Sequence, residues 1–163
     1  MNLLILSPVW LAWLFAALMT AAAIQDAVQL KISNLICLAV LIAAGVAMWL
    51  AGPEIALWQN VAVLVGLLVV GTPLFATGKM GGGDVKLLAA AGLWFDLRGA
   101  MVMLMWVLIA GGLLAILVLV VRLFGWSDKA RDRIHLLKRG GGIPYGVAIA
   151  AGTLLAGSVM RNL

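Results

Sequence analysis

Residues 78–95 read GKMGGGDVKLLAAAGLWF, a glycine cluster that carries Asp84 and runs into a short apolar stretch. A helix from Val85 to Phe95 would be about 16 Å long at 1.5 Å per residue. That is roughly half of the hydrocarbon thickness of a bilayer. Such a helix cannot cross a membrane unaided, and it brings Asp84 and the glycines to an irregular, water-accessible place at or inside the membrane boundary.

The composition of the whole chain requires a membrane. Of its 163 residues, 66% are apolar and 10% are charged, and the mean hydropathy is +1.20. Soluble domains are nearer half apolar and a quarter charged. So few charged side chains cannot cover a soluble fold, and the apolar surplus must face lipid. The net charge of +5 then indicates cytoplasmic loops and not nucleic acid.

Six charge-free runs divide the chain, and they are 1–25, 32–53, 55–78, 87–95, 99–121 and 140–160. Five of them are long enough to span a bilayer, and the fourth is short. We therefore expect an all-α polytopic membrane protein with six transmembrane helices, the fourth short and preceded by a glycine-rich loop. No internal repeat or linker divides it, so residues 1–163 are predicted to form a single domain.

The basic residues orient these helices. Six of the eleven lysines and arginines lie in the polar loop from Arg122 to Arg139. The positive-inside rule places this loop in the cytoplasm, where we also expect it to contact anionic lipid. Alternating spans then bring the junctions 26–33 and 78–86 to the same face and put both termini outside. Asp26 and Asp84 are thus predicted to lie at the cytoplasmic end of the bundle.

Asp26 has two interpretations. It is either a solvated interfacial anion near Lys31, or a carboxylate that faces the bundle interior at the end of the first helix. Ser33 or Asn34 is expected to cap the start of the second helix. Intramembrane ionisable groups are candidates for function by default, and this applies to Asp26 and Asp84 alike.

Among the kinds of catalytic site considered, the residues favour a pair of carboxylates. The glycine cluster lacks the Ser or Thr of a P-loop, and a single Cys37 and a single His135 leave no set of metal ligands. No metal and no cofactor is therefore expected. Two converging carboxyl groups share a proton, so one can accept a proton from water while the other polarises a peptide carbonyl. If Asp84 caps the short helix, the helix amides favour its charged form and leave the proton on Asp26.

These residues resemble a known family. Gly81-Gly82-Gly83-Asp84 is a GxGD motif, and with Asp26 and the element Ile32-Ser33-Asn34 it resembles the type IV prepilin peptidases, which are intramembrane aspartyl proteases. The segment from Gly142 to Ala148 is similar to the start of that family's last helix. The resemblance implies that Asp26 and Asp84 are the catalytic pair and that Gly81 and Gly83 shape the loop beneath Asp84. Lys86 and Asn34 match motif positions and have no assigned role.

The resemblance also implies a substrate. Prepilin-like proteins carry a short basic leader that stays in the cytoplasm and an apolar helix that enters the bilayer, and cleavage follows a glycine. The larger prepilin peptidases have an additional cytoplasmic loop with two Cys-x-x-Cys pairs, which is associated with metal binding and N-methylation. This chain has one cysteine. It therefore resembles the short Flp/Tad pilus-type branch, and we predict proteolysis without methylation in a bacterial inner membrane.

Two alternatives stay open at this point. An archaeal preflagellin peptidase would have the same motif and chemistry. A protein of another class, a non-enzymatic transporter or a subunit of a secretion assembly, could use Asp26 and Asp84 as a proton relay, since transporters also build sites from glycine-interrupted helices.

Two further patterns make structural predictions. The aromatic residues Trp94 and Phe95 at the end of the short run, and Trp49 and Trp58 around the loop near Glu54, are expected to be interfacial anchors. A stripe of small residues on one face of the last run predicts close helix packing. It consists of Gly146, Ala150, Thr153 and Gly157.

Overall fold

The computed structural model describes residues 2–52, 56–123 and 143–162. Glu54, His135 and nearly all of the basic loop lie outside the described residues. Within those ranges the chain forms seven helices and no strands, which confirms the all-α prediction. The helices are α1 (Leu3–Leu6), α2 (Val9–Gln29), α3 (Asn34–Ala51), α4 (Leu57–Ala76), α5 (Gly82–Gly92), α6 (Leu97–Leu123) and α7 (Tyr145–Asn162).

Four helices, α2, α3, α4 and α6, are long and apolar enough to cross a membrane. The apolar stretch of α7, Tyr145–Arg161, is shorter. The first charge-free run contains two helices, α1 and α2, with a break at Ser7 and Pro8 between them. The helix numbers therefore exceed the run numbers by one, and the short fourth run corresponds to α5. The chain is a multi-pass membrane protein, and the count of six spans stays a prediction.

Hydrogen bonds of Leu30 and Ser33 fix where α2 ends and where α3 begins. Leu30 adopts the left-handed conformation, with φ of 51°, and its N–H donates to the carbonyl oxygen of Asp26 at 2.8 Å. The side-chain oxygen of Ser33 accepts from the N–H of Leu35 at 3.1 Å, so Ser33 and not Asn34 is the cap of α3. The connection between the two helices is therefore a tight turn over residues 30–33, which begins four residues after Asp26.

Helix α5 lies at the centre of the bundle and packs against α3, α4 and α7. It begins at Gly82, three residues before the predicted start at Val85. Gly82 and Gly83 are helical here because neighbouring residues pack closely against their Cα atoms, which carry no side chain. A Cβ atom on Gly82 would lie 3.1 Å from the ring of Phe75, and one on Gly83 would lie 3.0 Å from Cβ of Ile32.

The prediction for Trp94 and Phe95 is wrong. Both side chains are fully buried and belong to the core. The indole N–H of Trp94 donates to the carbonyl oxygen of Val40 at 3.3 Å, and the ring centroid of Phe15 lies 4.6 Å from that of Trp94. Helix α5 ends at Gly92, three residues before the predicted end at Phe95, and the two aromatic residues that follow it fill the space inside the bundle. Trp49, by contrast, is 81% exposed, as an interfacial anchor requires.

The stripe of small residues on α7 does pack against neighbouring helices, as predicted. Ala150 and Thr153 are buried, and a Cβ atom on Gly157 would lie 2.9 Å from Leu4 of α1. On another face of α7, a Cβ atom on Gly152 would collide with the backbone of Val107 in α6. Close helix contact on these faces fixes α7 against α1, α2 and α6.

Candidate active site

Asp26 lies in the last turn of α2 and is only 4% exposed. Its Oδ2 atom accepts a hydrogen bond of 2.7 Å from the backbone N–H of Gly146, in the first turn of α7. Of the two interpretations of Asp26, the bundle-facing carboxylate is therefore correct and the solvated anion is wrong. The chain continues from Asp26 into the turn at Leu30, which holds the end of α2 beside α3.

Asp84 is the third residue of α5 and is also buried. It does not cap the helix, because the N-cap is Gly81 in an extended conformation. The carboxylate instead turns back and accepts a hydrogen bond from the backbone of Gly81. The aspartate that accepts a hydrogen bond from the first turn of another helix is Asp26, and the helix that donates it is α7.

The two aspartates line the same space. Two adjoining cavities of about 280 and 260 Å³ lie at this end of the bundle, and Asp26, Asp84, Leu30 and Gly81 line both of them. The carboxylates are close enough for their charges to interact. Side chains from α2 and α5, which are far apart in the chain, thus converge on one cleft.

The glycine loop positions Asp84 through close contacts. A Cβ atom on Gly81 would lie 2.7 Å from Oδ2 of Asp84 and would displace the carboxylate. A Cβ atom on Gly83 would lie 3.2 Å from the backbone oxygen of Ile32, so Gly83 brings the first turn of α5 against the connection between α2 and α3. Gly78 has φ of 70°, which favours glycine at the turn that follows α4. Gly81 thus lies against the carboxylate of Asp84 and Gly83 against Ile32, and their role in shaping a catalytic loop stays a prediction.

Lys86 and Asn34, which had no predicted role, contact each other. The ammonium group of Lys86 donates to Oδ1 of Asn34 at 2.9 Å and links α5 to the start of α3. Two other cations, Lys31 and Lys79, each line one of the two cavities. The mouth of the cleft therefore carries positive charge.

The start of α7 also contributes to the site, although none of its residues was predicted to do so. Gly146 bonds to Asp26, while Ile143 and Tyr145 line one of the cavities. A Cβ atom on Gly146 would lie 2.9 Å from Oδ2 of Asp26, so the close approach needs glycine. The similarity of residues 142–148 to the start of the family's last helix was the available signal, and we interpreted Gly146 only as part of a packing stripe.

This arrangement suits acid–base chemistry on a buried bond. Two carboxyl groups face the two cavities, whose walls also contain glycine backbone, aliphatic side chains, Tyr145 and two lysines. Among the residues that the structure describes, no three His, Cys, Asp or Glu side chains group together as metal ligands.

Comparison with known proteins gives one match. A profile of the type IV leader peptidase family matches residues 13–116, more than half of the chain. No curated protein and no solved structure matches significantly. The matched region contains Asp26 and Asp84 and ends within α6, so Gly146 lies outside it. The chain belongs to the type IV leader peptidase family, whose substrates are proteins of the prepilin type.

Proposed function

We propose that this chain is a membrane-embedded aspartic endopeptidase in which Asp26 and Asp84 are the catalytic residues. The observation that carries the proposal is their convergence on one cleft from separate helices. Membership of a leader peptidase family supports the reaction class. It also argues against a transporter, because the match is to a family of peptidases.

The reaction follows from two carboxyl groups that share one proton. The ionised group takes a proton from a water molecule in the cleft, and the water oxygen attacks the carbonyl carbon of the scissile bond. The protonated group gives its proton to the carbonyl oxygen, which produces a tetrahedral diol. Collapse of the diol breaks the C–N bond, the leaving nitrogen takes a proton, and one hydroxyl proton returns to the pair.

We propose a prepilin-like protein of the Flp type as the substrate, cut at the cytoplasmic face of a bacterial inner membrane, with both termini of the enzyme outside. The support is the charge distribution. Lys31, Lys79 and Lys86 lie at the same end of the bundle as the aspartates, and basic residues favour the cytoplasmic side. Because the chain has one cysteine, we further propose that it does not methylate the new N-terminus.

The test is cleavage of a co-expressed Flp-type prepilin in membranes by the wild type, Asp26→Asn and Asp84→Asn. Asn keeps the size of Asp and removes the acid–base function, so each variant should lose at least about 1,000-fold in rate. Asp96→Asn is a matched control, because Asp96 bonds to Gly99 at the start of α6 and lies in neither cavity. It should cut at nearly the wild-type rate.

The outcomes separate the possible functions. Normal insertion of all variants with cleavage lost only in Asp26→Asn and Asp84→Asn supports the dyad. Retained cleavage in either one contradicts the assignment of that residue. A wild type that moves protons across vesicles and cuts no prepilin would favour the transporter. Mass spectrometry of the mature pilin checks the methylation proposal, and a methylated N-terminus made by this enzyme alone would contradict it.

A further inference from the structure

A third cavity of about 430 Å³ adjoins the aspartate cleft. Aliphatic residues and glycines of α4 to α7 form most of its wall. Lys79, Met80 and Tyr145 line both this groove and one of the aspartate cavities, so the two spaces lie side by side and share part of their wall. We call this cavity the apolar groove. It leads away from the aspartates into the part of the bundle that lies between the membrane faces.

The apolar groove is long and open on one side. It follows α6 from Leu104 to Ala115, about 16 Å at 1.5 Å per residue. Helix α6 packs mainly on α7 and makes little contact with α4, so the groove opens between α4 and α6. Leu108 lines the groove and is 75% exposed. An apolar helix already in the bilayer could enter from the side without crossing a polar surface.

Glycines make room for a helix there. Gly111 and Gly112 of α6 both line the groove. A Cβ atom on Gly112 would meet no atom within 4 Å, so none of the helices that the structure describes uses the space that its missing side chain leaves. In membranes, small residues of this kind allow another helix to approach closely.

We propose that the apolar groove binds the apolar helix of the prepilin-type substrate and that this contact delivers the peptide bond before that helix to Asp26 and Asp84. The inference rests on the proposed function. A helix lying along α6 would end at Tyr145 and Met80, where the groove meets the aspartate cavity, and the chain leading out of it would pass directly into the cleft. Recognition would then follow the helix-in-groove mode, with the apolar helix giving affinity and the cleft accepting the extended leader junction.

The first experiment fills the groove. Gly112→Leu adds a side chain where the fold leaves open space, and Gly66→Leu is the matched control, because Gly66 lies in the middle of α4, has no atom near its own Cβ position and does not line the groove. Each variant is given two substrates in detergent: the complete prepilin, and a short peptide that spans only the leader junction. We expect Gly112→Leu to lower kcat/KM for the prepilin at least tenfold through KM, and to leave cleavage of the peptide unchanged.

The outcomes distinguish this inference from the proposed function. If the wild type cuts neither substrate, the proposed function fails. If the wild type cuts both and Gly112→Leu behaves like Gly66→Leu, the function stands and the groove proposal is overturned. Equal loss on prepilin and peptide also overturns it, because the substitution would then act on the cleft and not on helix binding.

A second experiment identifies what occupies the groove. A photoreactive benzoyl-phenylalanine replaces Leu108, which lines the groove, or Val69, which is 65% exposed on α4 and does not line it. Both variants carry Asp84→Asn so that bound prepilin is not cut. We expect a crosslink to the apolar helix of the prepilin from position 108 and none from position 69. Crosslinks from position 108 only to lipid, to a second copy of the enzyme or within the chain would overturn the proposal.

Discussion

Replacing Gly146 by Ala should disturb the hydrogen bond between the backbone N–H of residue 146 and the carboxylate of Asp26. A Cβ atom at this position would lie 2.7 Å from Cδ1 of Ile32, 2.9 Å from Oδ2 of Asp26 and 3.0 Å from Cβ of Asp26. Carbon atoms prefer separations of about 3.5–4.0 Å. The end of Ile32 can rotate away, but Cβ of Asp26 is fixed to the backbone of α2. The added methyl group must therefore move α7 away from α2 by roughly 0.5–1 Å, or rotate the carboxylate out of the cleft.

The size of the effect follows from that displacement. Overpacking of this kind costs about 1–3 kcal/mol of stability. A shift of about 1 Å at a reacting group can cost about 100-fold in rate. The 2.7 Å hydrogen bond from Gly146 to Asp26 lengthens in either arrangement. If Asp26 is catalytic as proposed, we expect kcat/KM of Gly146→Ala to fall about 10- to 100-fold, mostly in kcat, because the Asp26 carboxylate moves and the apolar groove stays open.

The assay is prepilin cleavage by purified enzyme, expressed per mole of folded protein, alongside a thermal melt. Gly45→Ala is the control, because its Cβ would meet no atom within 4 Å and Ala has a higher helix propensity than Gly. It should keep wild-type kcat and melting temperature. A Gly146→Ala enzyme that is folded and cuts at the wild-type rate would refute the reasoning, since the start of α7 would then not position Asp26.

Two further predictions concern stability. Trp94→Ala removes a fully buried indole and should destabilise the protein by about 3–5 kcal/mol, whereas Trp49→Ala, at a side chain that is 81% exposed, should leave the melting temperature nearly unchanged. Equal melting temperatures would contradict the core position of Trp94. Asn34→Ala removes the acceptor of Lys86 and should lower stability by about 1 kcal/mol, measured by denaturant titration, with a much smaller loss of cleavage than Asp84→Asn. A loss of cleavage as large as that of Asp84→Asn would mean that the pair acts in the reaction and not only in joining α3 to α5.

The location of the candidate site was accessible from the sequence because it depends on rare residues. In a chain with only 10% charged residues, Asp26 and Asp84 stand out, and the alternation of apolar runs puts both at one end. The glycines before Asp84 predicted an irregular approach to a short helix, and α5 is short. These inferences needed only the cost of a charge in lipid and the length of a spanning helix.

The contacts between helices were not accessible in the same way. Trp94 is of a residue type common in interfacial anchors, and only its position just after the central helix α5 shows that it belongs to the core. The predicted start of α5 was three residues too late because Gly82 and Gly83 have poor helix propensity, and their close packing against Phe75 and Ile32 outweighs that preference. Gly146 was assigned to packing because periodicity identifies a face of a helix and not the side chain that the face meets.

The hydrogen bond between Gly146 and Asp26 determines how much of the chain must be made before the site is complete. Domains form from the N-terminal side during synthesis, and both aspartates leave the ribosome before α7 does. A nascent chain that has inserted α1 to α6 holds its two acids without the amide that orients Asp26. We therefore expect proteolytic competence to arrive with the last helix, so that a half-built enzyme is unable to cut the pilins that are inserted beside it.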